Sequence, residues 1–266
     1  MMADDDILLL DTTRDGLAVV TLNRPDIHNA MSTPLVEALD DTFETLRGAD
    51  GVRVVLLEAA GKSFSAGADL NAMKAAAHFD PKQNEEDALF FAHMLKKLKE
   101  LPQATIAVVQ GPAVGGGLGL VSACDMAIAT RNAWFSLSEV KLGIIPAMIS
   151  PYVVDAIGAR NARRYFLTAE RISAEEAHRI GLVHALADDR QGLTALTEQL
   201  TAALFRTAPG AVHAAKELID LVANAELDNH LVHETARLIA ERRASDEGKE
   251  GISAFLEKRK PSWVVE

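Results

Sequence analysis

The chain has a single cysteine and few basic side chains. Cys124 cannot form an internal disulfide, which suits a reducing compartment and predicts a cytoplasmic location. Lysine and arginine together number 27 against 38 aspartates and glutamates, which leaves a formal net charge of −11. Because an acidic chain repels nucleic-acid phosphates and anionic membrane surfaces, we expect neither as a partner.

Signals for export, membrane insertion and metal binding are also missing. Three aspartates, Asp4–Asp6, stand where a signal peptide would carry basic residues, so we expect no such leader. The long uncharged stretch 101–124 contains two prolines and five glycines, and it predicts a buried strand, a glycine turn and a buried helix instead of a membrane span. The eight histidines lack metal-ligand spacing, so we predict no metal site.

Three common enzyme motifs fail at one position each. Leu56 replaces the first glycine of a phosphate-binding loop, and Arg237 replaces the second histidine of a zinc-protease motif. Ser63 stands where the nucleophile elbow of a serine hydrolase requires glycine. The chain therefore gives no support to these three classes of enzyme.

Strand and helix patterns alternate in the first part of the chain. A helix is predicted to start at Ser32 or Thr33, and another to span Asn84–Leu101. Between and after them, short β-branched runs predict strands at Leu17–Leu22, Val52–Glu58, Thr105–Val109 and Met126–Ala129. Strands separated by helices indicate parallel crossover units and an α/β fold.

The pattern changes to helix alone near residue 190. From Gly192 onward we expect no strand, and four helices are predicted at 193–205, 212–223, 231–243 and 252–258. We therefore predict an α/β core over residues 1–190 that contains the functional site. Residues 191–266 would form a helical region whose apolar faces pack on their own core or on a neighbouring subunit, and which covers the site.

Two segments of small residues, 63–70 and 111–119, directly follow predicted strands and precede helices. Small residues let a ligand approach the backbone closely, and N–H groups at a helix start have no partner within the helix. Two such turns side by side could direct two N–H donors at one oxygen atom, which is an oxyanion hole. Each segment alone is equally compatible with glycines that permit close helix–strand packing.

Five landmarks at compatible spacing resemble the crotonase (enoyl-CoA hydratase/isomerase) family. They are LNRPDIHNAM (22–31), FSAGADL (64–70), VQGPAVGGGLGLVSACDMAIA (109–129), FSLSEVKLGIIP (135–146) and FLEKRKPSW (255–263). The resemblance implies a spiral of strand–strand–helix units followed by the helical region, assembled as a homo-oligomer, a hexamer built as a dimer of trimers. It also implies an acyl-CoA substrate, no separate cofactor, and a thioester oxygen held by the N–H groups of Ala68 and Gly116.

The resemblance assigns one catalytic carboxylate where ordinary hydratases of the family have two. Glu139 matches one glutamate position, but Gly119 occupies the other. Asp69 is also expected to hold a turn or cap a helix. The full set of substrate-binding residues implied by the resemblance is Arg24, Ala66, Gly67, Asp69, Leu70, Gly115, Gly119, Pro146 and Lys258.

Residues 145–154 and 163–168 resemble methylglutaconyl-CoA hydratases more closely. We therefore expect a hydratase that acts on a branched, carboxylated substrate such as 3-methylglutaconyl-CoA, in leucine or terpene breakdown. Gly119 is expected to free volume beside the acyl chain and to remove a negative charge. Another acyl-CoA reaction of the family, as in an isomerase or a dehalogenase-like enzyme, and a non-catalytic CoA-binding scaffold remain alternatives.

Overall fold

The computed structural model describes residues 7–223 and 225–264. Within these ranges the strands are β1 (Leu8–Arg14), β2 (Leu17–Leu22), β3 (Val54–Ala59), β4 (Ala104–Val109), β5 (Ala113–Val114), β6 (Met126–Thr130), β7 (Trp134–Ser136), β8 (Ile172–Ser173) and β9 (Ala185–Ala187). The α-helices are α1 (Thr33–Arg47), α2 (Leu70–Ala76), α3 (Pro81–Lys99), α4 (Gly116–Ala123), α5 (Ser150–Thr168), α6 (Ala174–Arg179), α7 (Arg190–Leu204), α8 (Pro209–Ala223), α9 (Asn229–Ala244) and α10 (Asp246–Leu256). Asp4–Asp6, on which the expected absence of a leader depends, lie outside the described residues.

The main sheet has six strands in the order β1-β2-β3-β4-β6-β9. Strand β1 pairs antiparallel with β2, whereas the pairs β2–β3, β4–β6 and β6–β9 are parallel. All six residues of β4 are buried. A strand covered on both faces has no solvent-facing positions, which explains why its sequence, ATIAVV, lacks a polar–apolar alternation.

A second, smaller sheet has the order β5-β7-β8, and its first strand lies within the glycine-rich segment 111–119. Strand β5 pairs parallel with β7 through Ala113 and Phe135, and β7 pairs antiparallel with β8. This sheet fixes the backbone immediately before α4. The α/β class predicted from the sequence is confirmed by the mixed sheets and helices.

The chain divides into two compact units. The first contains the described residues up to Leu101 together with Thr105–Glu198, and the second contains Pro102–Ala104 and the described residues from Gln199 onward. The first unit thus ends inside α7, beyond the predicted boundary at residue 190. The core of the first unit combines sheet residues with the buried faces of α1 and α3, among them Phe43 and Leu95, which are fully buried.

The uncharged stretch 101–124 forms β4, β5 and the buried helix α4, as the glycines and prolines predict. No helix within the described ranges is both long enough and apolar enough to cross a membrane. In the part of the chain described beyond Gly192 the regular elements are helical, in agreement with the sequence pattern. The predicted role of this region in subunit assembly stays a prediction.

Candidate active site

The two small-residue turns lie side by side. Ser65 and Ala113 form a parallel bridge, in which the N–H of Ser65 donates to Pro112 O at 3.1 Å and the N–H of Val114 donates to Ser65 O at 2.9 Å. Gly67 has a φ of +90°, and a Cβ there would also lie 3.1 Å from Val114 O. The backbone of one turn therefore packs directly on the other, and this close approach requires glycine.

The N–H of Ala68 is turned away from its neighbours in the structure. Met31 bridges Ala68 in parallel fashion, so that the N–H of Met31 donates to Gly67 O at 2.7 Å and the N–H of Asp69 donates to Met31 O at 3.1 Å. In such a bridge the central residue directs its own N–H to the opposite side. The N–H of Ala68 accordingly has no partner within the described chain, and Ala68 lines a cavity.

The second unpaired donor is the N–H of Gly116, the first residue of α4. Gly115 precedes it with a φ of +50°, donates to Ser136 O at 3.0 Å, and accepts from the N–H of Gly119 at 3.0 Å. These bonds fix the start of α4 but leave the N–H of Gly116 without a partner among the described residues. Gly116 lines the same cavity as Ala68. The two residues that sequence analysis assigned to an oxyanion hole thus share one site.

Glu139 brings a carboxylate to these donors. It is the first residue of a 3₁₀ helix, Glu139–Leu142, and a Cβ on Gly115 would lie only 3.0 Å from Glu139 Oε1. Burial raises the pKa of Glu139, and a hydrogen bond to its own backbone N–H offsets this effect in part. Glu139 Oε2 is buried without a hydrogen-bond partner in the described structure. A buried acid of this kind is suited to general acid–base chemistry.

The shared cavity has a volume of about 450 Å³ and a mostly apolar lining. Most of its wall is formed by alanines of α2, by the aromatic side chains Phe79, Phe90 and Phe91, and by Leu142, Ile144, Ile145, Pro146, Met148 and Ile149. The ionisable side chains in the described lining are Glu139 and Asp87, both acidic. Within the described residues no three His, Cys, Asp or Glu side chains come together as a candidate metal-ligand set.

Not every residue assigned from the sequence lines the cavity. Those that do are Ala66, Gly67, Ala68, Gly115, Gly116, Glu139 and Pro146. Asp69 instead caps α2, since its side chain accepts hydrogen bonds from the N–H groups of Asn71 and Ala72. Leu70 is 73% exposed and lies outside the lining. Lys258, near the end of the second unit, has a φ of +55° and is also absent from the lining.

Arg24 does not line the cavity but binds a residue next to it. Its Nη1 donates to Ser32 Oγ at 2.6 Å, and Thr33, the following residue, is part of the lining. A guanidinium held in this position could meet an anionic part of a ligand outside the cavity, such as a phosphate. The assignment of Arg24 to substrate binding stays a prediction.

The prediction that Gly119 leaves free volume beside the acyl chain is wrong. A Cβ built on Gly119 would lie 2.3 Å from Ile149 Cγ2 and 3.5 Å from Leu95 Cδ1. The space that a larger residue would need is therefore filled by Ile149, which itself lines the cavity. The sequence could not reveal this packing, because Ile149 lies 30 residues farther along the chain, at the start of α5.

One face of α3 also lines the cavity, which was not predicted from the sequence. Asn84, Asp87, Ala88 and Phe91 follow the i, i+3, i+4, i+7 spacing of one helix face, and all four line the cavity. The strongly apolar positions farther along α3, such as Leu95, are buried in the core instead. The helical spacing of these residues is visible in the sequence, but Asn84 and Asp87 are polar, and polar residues on a helix usually indicate a face exposed to solvent.

Comparison with known proteins agrees with this geometry. A sequence model of the family described as enoyl-CoA hydratase/isomerase matches residues 12–265. The chain is 32% identical over 246 residues to the short-chain-enoyl-CoA hydratase of Clostridium acetobutylicum, with 92% of each chain covered. It is 41% identical to an enoyl-CoA hydratase structure from Shewanella pealeana, with a TM-score of 0.94 and coverage of 97% and 96%. For an enoyl-CoA hydratase/isomerase structure from Marinobacter aquaeolei the identity is 33%, the TM-score 0.91 and the coverage 97% and 99%.

Proposed function

Since the chain belongs to the enoyl-CoA hydratase/isomerase family, we propose that it adds water across the double bond of an α,β-unsaturated acyl-CoA, with Glu139 as its one catalytic carboxylate. The observation that carries this proposal is the meeting of two unpaired N–H groups and one desolvated carboxylate at a single cavity. The reaction needs no cofactor beyond the coenzyme A of the substrate. Membership of the family makes the chain an enzyme of acyl-CoA metabolism.

In this proposal the thioester oxygen accepts hydrogen bonds from the N–H groups of Ala68 and Gly116. When hydroxide adds to the β-carbon, the electron pair of the double bond moves toward the thioester and places negative charge on that oxygen. Preset donors stabilise this charge without reorganising, and the loss of one such donor typically costs a factor of about 10²–10³ in rate.

Glu139 carries a proton from the attacking water to the α-carbon. Its carboxylate takes a proton from water as the water oxygen bonds to the β-carbon, and the enolate forms. The protonated Glu139 then returns that proton to the α-carbon, which restores the thioester and the ionised carboxylate. A raised pKa favours this cycle, because the carboxylic acid becomes a more stable intermediate state and the carboxylate a stronger base.

Hydration assays with Glu139→Gln test the role of this residue. Positioned acid–base groups contribute roughly 10²–10⁴-fold, so we expect turnover of crotonyl-CoA to fall by at least a hundredfold in a variant that folds normally. Glu37→Gln, which makes the same chemical change at an exposed position of α1, serves as the control and should retain wild-type turnover. A folded Glu139→Gln that keeps more than about a tenth of the wild-type rate contradicts the proposed mechanism.

An isomerase is the second candidate function, and the presence of one catalytic carboxylate favours it. A single base can remove a proton from the α-carbon of a 3-enoyl-CoA and return it to the γ-carbon, which moves the double bond without water. The same oxyanion donors would stabilise the enolate formed in that reaction. Incubation with a 3-enoyl-CoA and with crotonyl-CoA separates the two activities, since only the hydratase converts crotonyl-CoA to 3-hydroxybutyryl-CoA.

A further inference from the structure

The cavity has an unbalanced charge composition. Asp87 and Glu139 are the ionisable side chains of its described lining, and no lysine, arginine or histidine is present there to neutralise them. Within the described chain Asp87 forms no ion pair, unlike Glu86 beside it, which pairs with Lys82 at 3.3 Å. A carboxylate in this cavity therefore meets no charged side chain of opposite sign in the described lining.

Asp87 lies one helical turn from Phe91, an aromatic residue that packs beside one of the oxyanion donors. Phe91 lies next to Gly116, because a Cβ built on Gly116 would be 2.9 Å from Phe91 Cζ. Asp87 precedes Phe91 by four residues on α3, and side chains at this spacing are neighbours, about 5–6 Å apart at Cβ. Asp87 is also exposed while it lines the cavity, so it stands at an opening.

We propose that Asp87 is a specificity-determining residue that excludes acyl chains bearing a carboxylate, so that the cavity selects uncharged acyl-CoA substrates. This inference rests on the proposed function and deepens it. An acyl chain whose thioester oxygen is bound at Ala68 and Gly116 passes Phe91, and a carboxylate at its far end comes under the repulsion of Asp87. The carboxylated substrate expected from the sequence would favour a cation beside its far end, and the described lining contains no lysine, arginine or histidine.

Binding of two saturated acyl-CoAs tests the inference without turnover. Butyryl-CoA and glutaryl-CoA differ by one terminal carboxylate, and calorimetry gives the ratio of their dissociation constants for wild type, Asp87→Asn and Glu85→Gln. Glu85→Gln also removes one negative charge from α3, but at an exposed position outside the lining. We expect Asp87→Asn to reduce the preference for butyryl-CoA by roughly fivefold, since Asp87 is exposed and two unit charges about 4 Å apart in the dielectric of water interact this strongly. Glu85→Gln should leave the ratio unchanged.

Ionic strength supplies a second readout that a purely structural role would not change. The wild-type preference should weaken between about 0.01 M and 0.5 M salt, because salt shortens the range of interactions between exposed charges. Asp87→Asn should show a smaller salt dependence of the ratio.

Equal ratios for wild type and Asp87→Asn, or an equal change in Glu85→Gln, would overturn the inference even if hydration of crotonyl-CoA is observed. If the ratios differ as expected while no enoyl-CoA is hydrated, the proposed reaction is wrong and the charge selection stands.

Discussion

Replacing Gly119 with alanine should destabilise the protein through one identifiable contact. The added Cβ would lie 2.3 Å from Ile149 Cγ2 and 3.0 Å from Ile149 Cβ, well inside the separation that carbon atoms tolerate. Both positions are inside the protein, since Gly119 is buried in α4 and Ile149 is only 2% exposed. Overpacking of this kind typically costs about 1–3 kcal/mol, and we expect Gly119→Ala to fall in that range.

Ile149→Ala provides the complementary change, because it removes the Cγ2 atom with which the new Cβ collides. Alone it should cost about 2–5 kcal/mol through lost burial and the space left behind. In the double variant the methyl group at residue 119 occupies part of that space. We therefore expect the double variant to be more stable than the sum of the single effects predicts, by about 1–2 kcal/mol.

Urea unfolding of wild type, both single variants and the double variant measures this coupling. All four proteins should be compared at one protein concentration, since a change in assembly would shift the apparent stability. Costs that add to within about 0.5 kcal/mol would show that the two residues do not compete for the same space, and the reasoning from their contact would be refuted.

Other predictions concern Glu139 and the assembly of the chain. Burial raises the pKa of Glu139 in the folded protein, so its ionised form opposes folding; the opposition is complete above the raised pKa and is lost as the pH falls toward the ordinary value of 4.5. At pH 7 Glu139→Gln should therefore unfold at a higher temperature than wild type, and in acid this difference should disappear. Equal unfolding midpoints of the two proteins at pH 7 would contradict the effect of burial on Glu139. Because Glu139 must be ionised to act as a base, kcat/KM should fall in acid around a pH above the ordinary glutamate pKa of 4.5. A pH–rate profile measures this fall, which should be absent in Glu139→Gln. The chain should also sediment as a homo-oligomer, for which we expect a hexamer, and sedimentation as monomer alone at micromolar concentration would disprove it.

Local patterns in the sequence are sufficient to predict many of the strands and helices. The strand β2 falls at Leu17–Leu22 as predicted, and α1 begins after Ser32 with proline in its first turn. Burial explains this agreement, because apolar residues that recur at helical spacing in α1, namely Leu35, Leu39, Phe43 and Leu46, are buried in the core. The short strands β8 and β9 were not predicted, since two or three residues give no measurable periodicity and such strands form only through pairing with distant partners.

For the candidate site, too, the features that depend on neighbouring residues could be predicted from the sequence, and the features that depend on distant residues could not. The turns that contain Ala68 and Gly116 could be identified because glycine and alanine at helix starts have a direct backbone consequence. The role of Gly119 could not, since it depends on Ile149, which reaches α4 only after folding. Asp87 was missed for a related reason: an exposed charge on a helix usually faces solvent, and only the fold shows that this one borders a cavity.

The packing of Ile149 on Gly119 also bears on why one carboxylate can suffice. A second carboxylate at residue 119 would have to displace Ile149 to reach the largely apolar cavity that Glu139 lines, and there each charge would make ionisation of the other more costly. Ile149 fills the position instead and adds an apolar wall to a cavity whose carboxylate already has a buried, unpaired oxygen. Burial raises the pKa of Glu139, and it also leaves Oε2 without a hydrogen-bond partner among the described residues. One carboxylate in this environment can serve as base and then as acid, because within the described residues Oε2 has no hydrogen-bond partner that would take its proton between the two steps.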